Sequence, residues 1–228
     1  GWFYIVMELI SGNTLYDTLK TGTQPDVDKA ISIVTDLALG VKEIHEAGLV
    51  HGYIDSRGVL FKGEEVRLAG YCFSAVARVQ ADKTSEGKFL VEPAYISPEQ
   101  VTGGTVDHRA DIYALAVLLF ELVAGKRPFA GDNPLQTAML RLGKQPPSPA
   151  KINPAISPLL DAAIIKGLAT DPAARYNSVS SFIEAIGSGG RQAGKGGDAS
   201  AEAIGTQTIG VSMSLDSIRD MLKAHEQS

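Results

Sequence analysis

The side chains that could move a proton, grip a metal or attack a substrate are concentrated between His45 and Cys72. His45 and His51 would suit a transition metal, but no acidic or sulfur-bearing residue joins them at ligand spacing, so both read as core or helix-surface histidines. Tyr53 carries a phenol whose ordinary pKa of ~10 makes it a poor base at neutral pH. Asp55 offers negative charge, while the acidic pair Glu64-Glu65 reads as a solvated turn. Cys72 is the single cysteine of the chain, which excludes an internal disulfide and a cysteine-based metal site. It is a small core residue or, less simply, a reactive thiol.

The elements that must position these groups are legible from periodicity. Apolar residues at Val27, Ala30, Ile31, Val34, Leu37, Ala38, Val41 and Ile44 step by three and four, predicting a helix over Val27–Ala47 with Gly48 as its stop. Val59-Leu60-Phe61 and Val66-Arg67-Leu68 flank Lys62-Gly63-Glu64-Glu65, which predicts a hairpin. Upstream, Trp2–Leu9 reads as a short buried strand broken by Ser11-Gly12-Asn13, and Leu15–Lys20 as a short helix. Ala75–Leu90 lacks periodicity. Asp107–Ala124 is apolar nearly all round and predicts a central helix, interrupted only by Glu121 on its longest apolar run. After the breakers Pro146-Pro147-Ser148-Pro149 and Asn153-Pro154, Ser157–Leu168 and Ser178–Ile186 read as closing helices. Gly187–Gly210 is rich in Gly and small polar residues, giving a domain over 1–187, a flexible linker over 188–212 and a short amphipathic helix over 213–228. In that tail Leu215, Ile218, Met221 and Leu222 share one face, with Ser212 or Ser214 as N-cap.

Read together, six strings resemble the C-terminal lobe of bacterial-type Ser/Thr protein kinases, roughly from Phe3 to Ile186. Leu49–Leu60 resembles the catalytic loop, and Val66–Cys72 the strand leading into Asp-Phe-Gly. Pro93–Glu99 resembles the end of the activation segment, and Asp111–Leu122 the buried central helix. Gly125–Phe129 and Asp171–Tyr176 fit the same lobe. The resemblance implies an α+β fold class: a kinase C-lobe, mainly helical with a short hairpin, the N-lobe largely missing from the chain. It also implies that Tyr53 stands at the catalytic Asp, Asp55 at the phosphate-neutralising Lys, Gly58 at the metal-binding Asn and Gly70 at the metal-binding Asp. Asp55 would put negative charge where the migrating phosphate needs positive charge, and two glycines offer no oxygen to magnesium. Glu92 takes the place of the Thr that braces the catalytic pair. By the same resemblance, Met7 is the gatekeeper and Met7, Glu8, Leu9 and Leu60 form a vestigial adenine hinge. His51, Tyr71 and Asp111 are scaffold positions, and Glu99 and Arg175 are the ion pair that anchors the activation segment.

The expected function is therefore a catalytically inactive kinase-like module, a pseudokinase that scaffolds or regulates a protein partner in bacterial signalling. The alternative is a divergent Ser/Thr kinase or a weak nucleotide binder. No cofactor is expected beyond ATP held without tight magnesium. Thr206-Gln207-Thr208-Ile209 resembles the phosphothreonine motif of forkhead-associated domains, making such a domain or another kinase the expected partner and Thr206 a candidate phosphosite. The net charge of −5 argues against a nucleic-acid surface. With no apolar run near the ~20 residues a bilayer needs, the expected setting is cytoplasmic, alone or as the cytoplasmic part of a longer membrane protein.

Overall fold

The computed structural model describes residues 8–70 and 92–193. Within them the fold is mainly α-helical with one short β-hairpin. α1 (Leu15–Lys20) starts at Thr14, whose hydroxyl accepts from Asp17 N while the Asp17 carboxylate accepts from Thr14 N, a reciprocal cap. α2 (Val27–Glu46) starts at Asp26, which accepts from Lys29 N at 2.7 Å, and buries the predicted stripe from Ala30 to Ile44. Gly48 follows it at φ +75°, the left-handed stop that a side chain would resist.

β1 (Val59–Lys62) and β2 (Glu65–Leu68) pair antiparallel, with Val59 opposite Leu68 and Lys62 opposite Glu65. An isolated bridge from Thr14 to Leu60 ties α1 to this hairpin. It requires Gly12, where a Cβ would fall 1.8 Å from the Phe61 carbonyl oxygen. α3 (Pro98–Thr102) is short, and α4 (Arg109–Ala124) is the centre of the molecule, buried at every residue from Ala110 to Phe120. α5 (Pro134–Gly143) begins at Asn133, which caps Gln136 N at 2.8 Å. α6 (Pro158–Gly167) and α7 (Val179–Ala193) close the fold, α7 packing on both α6 and α2. The core joins α2, α4, α6 and α7 through Val34, Leu37, Leu118, Phe120, Leu160, Ile164 and Phe182.

Two expectations need correction. The closing helix runs to Ala193, so the proposed linker boundary at 188 falls inside a helix. Gly189 and Gly190 serve close packing rather than flexibility. A Cβ on Gly189 would lie 2.8 Å from Leu160, one on Gly190 2.9 Å from the Ile31 methyl, and Ser157 Oγ donates to Gly189 O at 2.7 Å. The strand expected to end at Leu9 does not reach it: Glu8 and Leu9 are irregular, and Leu9 is 88% exposed. The rest of that stretch, with Met7, lies outside the described residues, as do Tyr71, Cys72, Thr206 and the 213–228 tail.

Candidate functional site

The loop after α2 is held by one carboxylate. Asp111, fully buried on the first turn of α4, accepts from His51 N at 2.9 Å, from Gly52 N at 2.7 Å, and lies 2.7 Å from His45 Nε2. Its partners lie some sixty residues away in sequence, which is why spacing around the histidines gives no sign of it. Gly52 turns at φ +78° to aim its amide at Asp111. His51 is itself fully buried, and burial pushes its imidazole below the ordinary value despite the nearby Asp111 charge. Burial thus favours the neutral ring, whose Nδ1 accepts from Tyr53 N at 3.3 Å.

The four positions where phosphoryl-transfer groups would stand are near one another and carry other duties. Asp55 folds its carboxylate back into its own loop, where Oδ1 accepts from Arg57 N at 2.9 Å and Gly58 N at 2.8 Å. It is a turn former here. Gly58 faces the Ala69 carbonyl closely enough that a Cβ would sit 3.1 Å from that oxygen, and Ala69 N donates to Gly58 O at 2.7 Å. Gly70 adopts φ +94°. Tyr53, Asp55, Glu92 and Tyr95, with Gly52, Ile54, Ile96 and Ala114, line a shallow depression with room for about one water. A magnesium ion asks for several oxygen ligands in octahedral array. Glycines at two of the expected ligand positions supply none, and the Asp55 oxygen nearest them already accepts two amides. No group of three or more His, Cys, Asp or Glu suited to a metal occurs among the described residues.

From Glu92, at the wall of this depression, runs a chain of ion pairs that spacing in the sequence gives no sign of. Glu92 Oε2 accepts from Arg57 Nη1 and Oε1 from Arg127 Nη1, both at 3.0 Å; Arg127 Nε continues to Glu121 Oε1 at 3.1 Å. The Tyr95 hydroxyl donates to the other Glu121 oxygen and lies 2.9 Å from Ser56 Oγ. Burial, with the Glu121 charge beside it, raises the Tyr95 phenol well above its ordinary value. One signal could have exposed this cluster: Glu121 interrupts an otherwise apolar helix, and a carboxylate on such a face requires a cationic partner.

The hinge positions divide. Glu8 pairs with Lys62 Nζ at 2.5 Å, which holds its carboxyl below the usual range, while Leu60 is half-buried in the hairpin opposite Arg67.

Residues 1–177 match the family model described as protein tyrosine and serine/threonine kinase. The chain belongs to this kinase family. Among similar kinases, PknB of Mycolicibacterium smegmatis is 32% identical over 180 residues, 77% of this chain and 28% of that protein. PknL of Mycobacterium tuberculosis is 36% identical over 176 residues, 76% of this chain and 43% of that protein. PksC of Streptomyces coelicolor is 34% identical over 182 residues, 77% of this chain and 33% of that protein. The chain thus spans less than half the length of these relatives.

Within the kinase fold, the segment after Glu92 is anchored from below by two arginines. Arg175 meets Glu99 through both ends of its fork, Nη1 to Oε1 at 2.8 Å and Nη2 to Oε2 at 2.7 Å, and also donates to the Ala169, Arg109 and Thr170 carbonyls. Arg141 of α5, also buried, has no carboxylate partner among the described residues; it donates to the carbonyls of Pro93, Ile96, Ala138 and Thr137 and lies over the rings of Tyr113 and Phe129. Gln100 reaches back to Gly52 O at 2.7 Å, joining this segment to the catalytic loop. No helix among the described residues is long and apolar enough to cross a membrane.

Proposed function

We propose that this member of the kinase family is a non-catalytic module, a pseudokinase whose retained fold binds and regulates a protein partner. The observation that carries the reading is the state of the catalytic loop. Asp55, at the place of the phosphate-neutralising cation, is an acceptor for its own loop amides, next to glycines at both metal-ligand positions. Losing a general base alone forfeits ~10²–10⁴ in rate, and here the metal ligands and the cation are replaced too. Nucleotide binding, where it occurs, is weak and independent of magnesium. The test is phosphate transfer by the full-length protein from labelled ATP, with magnesium or manganese and a generic acceptor. No incorporation above a no-protein control is expected; incorporation abolished by a folded Asp111→Asn variant overturns the proposal.

A second reading is favoured by the relatives, named as serine/threonine-protein kinases at 32–36% identity: a divergent phosphotransferase using other residues. Thermal shift separates the two, since a sizeable magnesium-dependent stabilisation by ATP belongs to the enzyme. For the partner, the Thr206-Gln207-Thr208-Ile209 stretch favours a forkhead-associated domain reading phosphorylated Thr206 through arginine contacts. Calorimetry with phosphorylated and plain peptides spanning that stretch tests it. The setting that fits this reading is cytoplasmic, as a free protein or as the inner part of a longer one.

A further inference from the structure

Glu92 is shared between guanidinium groups from two separate stretches of the chain. Arg57 belongs to the catalytic loop and Arg127 to the turn after α4, and each gives one N–H to a different Glu92 oxygen at 3.0 Å. Arg127 spends its Nε on Glu121 at 3.1 Å. The charges of the group sum to zero: Arg57 and Arg127 against Glu92 and Glu121. Removing Glu92 leaves one positive charge in excess: Arg127, 25% exposed, keeps Glu121, while Arg57, 56% exposed, loses its carboxylate and faces the vacated position. Planar guanidinium forks converging on one point suit a carboxylate or a phosphoryl group better than any other ligand class.

Position gives this arrangement its consequence. Glu92 opens the 92–97 segment, whose far side is fixed independently: Arg141 takes the Pro93 and Ile96 carbonyls. The near side meets the catalytic loop through Glu92 on Arg57, and through Tyr95 on Ser56 and Glu121. Glu92 and Tyr95 both line the depression over the loop.

We propose that Arg57 and Arg127 form an oxyanion seat that the chain fills with its own Glu92, latching residues 92–97 across the catalytic loop. The seat takes a carboxylate or a phosphoryl group, and any external ligand of that class must displace Glu92 to enter. This holds whether or not the chain transfers phosphate.

The test uses the full chain, hydrogen exchange of peptides covering 92–101, and inorganic phosphate as the probe. Glu92→Ala is expected to raise exchange there about threefold to tenfold, the range of a partly screened ion-pair network, while peptides of α4 stay protected. Millimolar phosphate then restores protection to Glu92→Ala, leaves wild type unchanged because its seat is filled, and fails on Glu92→Ala/Arg127→Met. Chloride at matched ionic strength controls for screening. Should Glu92→Ala not fold, Arg57→Met keeps Glu92 and opens the same contact, with the same rise expected. Exchange unchanged in either variant, or phosphate protecting the double variant as well as the single one, overturns the proposal.

Discussion

Asp111→Ala measures how far one carboxylate holds the catalytic loop in place. In the structure this fully buried side chain accepts from His51 N and Gly52 N and is hydrogen-bonded to His45 Nε2. Truncation strands two loop amides with no acceptor at that position, each costing about 1–3 kcal/mol when buried. Partial relaxation of the part-buried Gly52 amide trims the sum to about 2–5 kcal/mol, a large share of the ~5–15 kcal/mol typical of a domain. Asp111→Asn keeps one oxygen and places an NH₂ group against the second donor, so it should lose about half as much. Urea unfolding followed by far-UV circular dichroism, compared at equal slope, gives both values. Hydrogen exchange at His51 and Gly52 should rise in the same order, alanine above asparagine above wild type. An alanine variant within ~0.5 kcal/mol of wild type, or an asparagine variant less stable than alanine, refutes the account of Asp111 as the hub.

Four other outcomes follow from the geometry. Glu99→Ala leaves Arg175 buried and uncompensated and should cost ~3–5 kcal/mol in urea unfolding, whereas an exposed pair such as Lys29–Glu64 should give under ~1 kcal/mol. Gly189→Leu should destabilise by about 1–3 kcal/mol because α7 cannot then approach Leu160, while Gly187→Ala, with nothing within 4 Å, should stabilise by up to ~1 kcal/mol; thermal melts of the pair decide. Burial holds the His51 pKa below its free value, so the unfolded chain binds the extra proton as pH falls. His51 therefore contributes its full stability above about 6.5 and loses it progressively down to the depressed folded value. The slope of urea midpoint against pH across this window should shrink in His51→Phe, and equal slopes would contradict the assignment. Gly58→Asn/Gly70→Asp, which restores two metal-ligand side chains, should cost about 1–2 kcal/mol at Gly70 alone, where φ is +94°, and should produce no magnesium-dependent thermal shift.

Much of the scaffold was readable before any coordinates. The helix predicted over Val27–Ala47 ends one residue early, and the predicted hairpin is present in its expected place. Asp107–Ala124 loses its first two residues because the Asp107 carboxylate accepts from Arg109 N at 2.8 Å, so the aspartate precedes the helix rather than joining it. α5 lies outside the helices that periodicity predicts, and only Asn133 followed by Pro134 marks its start in the sequence. The Gly-Ser-Gly-Gly run after Ile186 was the most misleading stretch. Composition cannot separate a glycine that loosens the chain from one that lets two helices touch, and only the contacts with Leu160 and Ile31 decide. At the site, the substituted positions were legible one by one. Their new partnerships were not, since Glu92 meets arginines thirty-five residues away in each direction.

The glycines of the loop carry one last consequence. At Gly58 the Ala69 carbonyl lies within 3.1 Å of where a Cβ would sit, and at Gly70 the backbone stands at φ +94°, a region L side chains rarely adopt. A side chain added at either position would therefore have to move its surroundings before it could reach the loop: the Ala69 carbonyl must give way at Gly58, and the main chain must take up a less favourable torsion at Gly70. Metal-ligand side chains cannot simply be grafted onto this loop without cost to the fold that holds it.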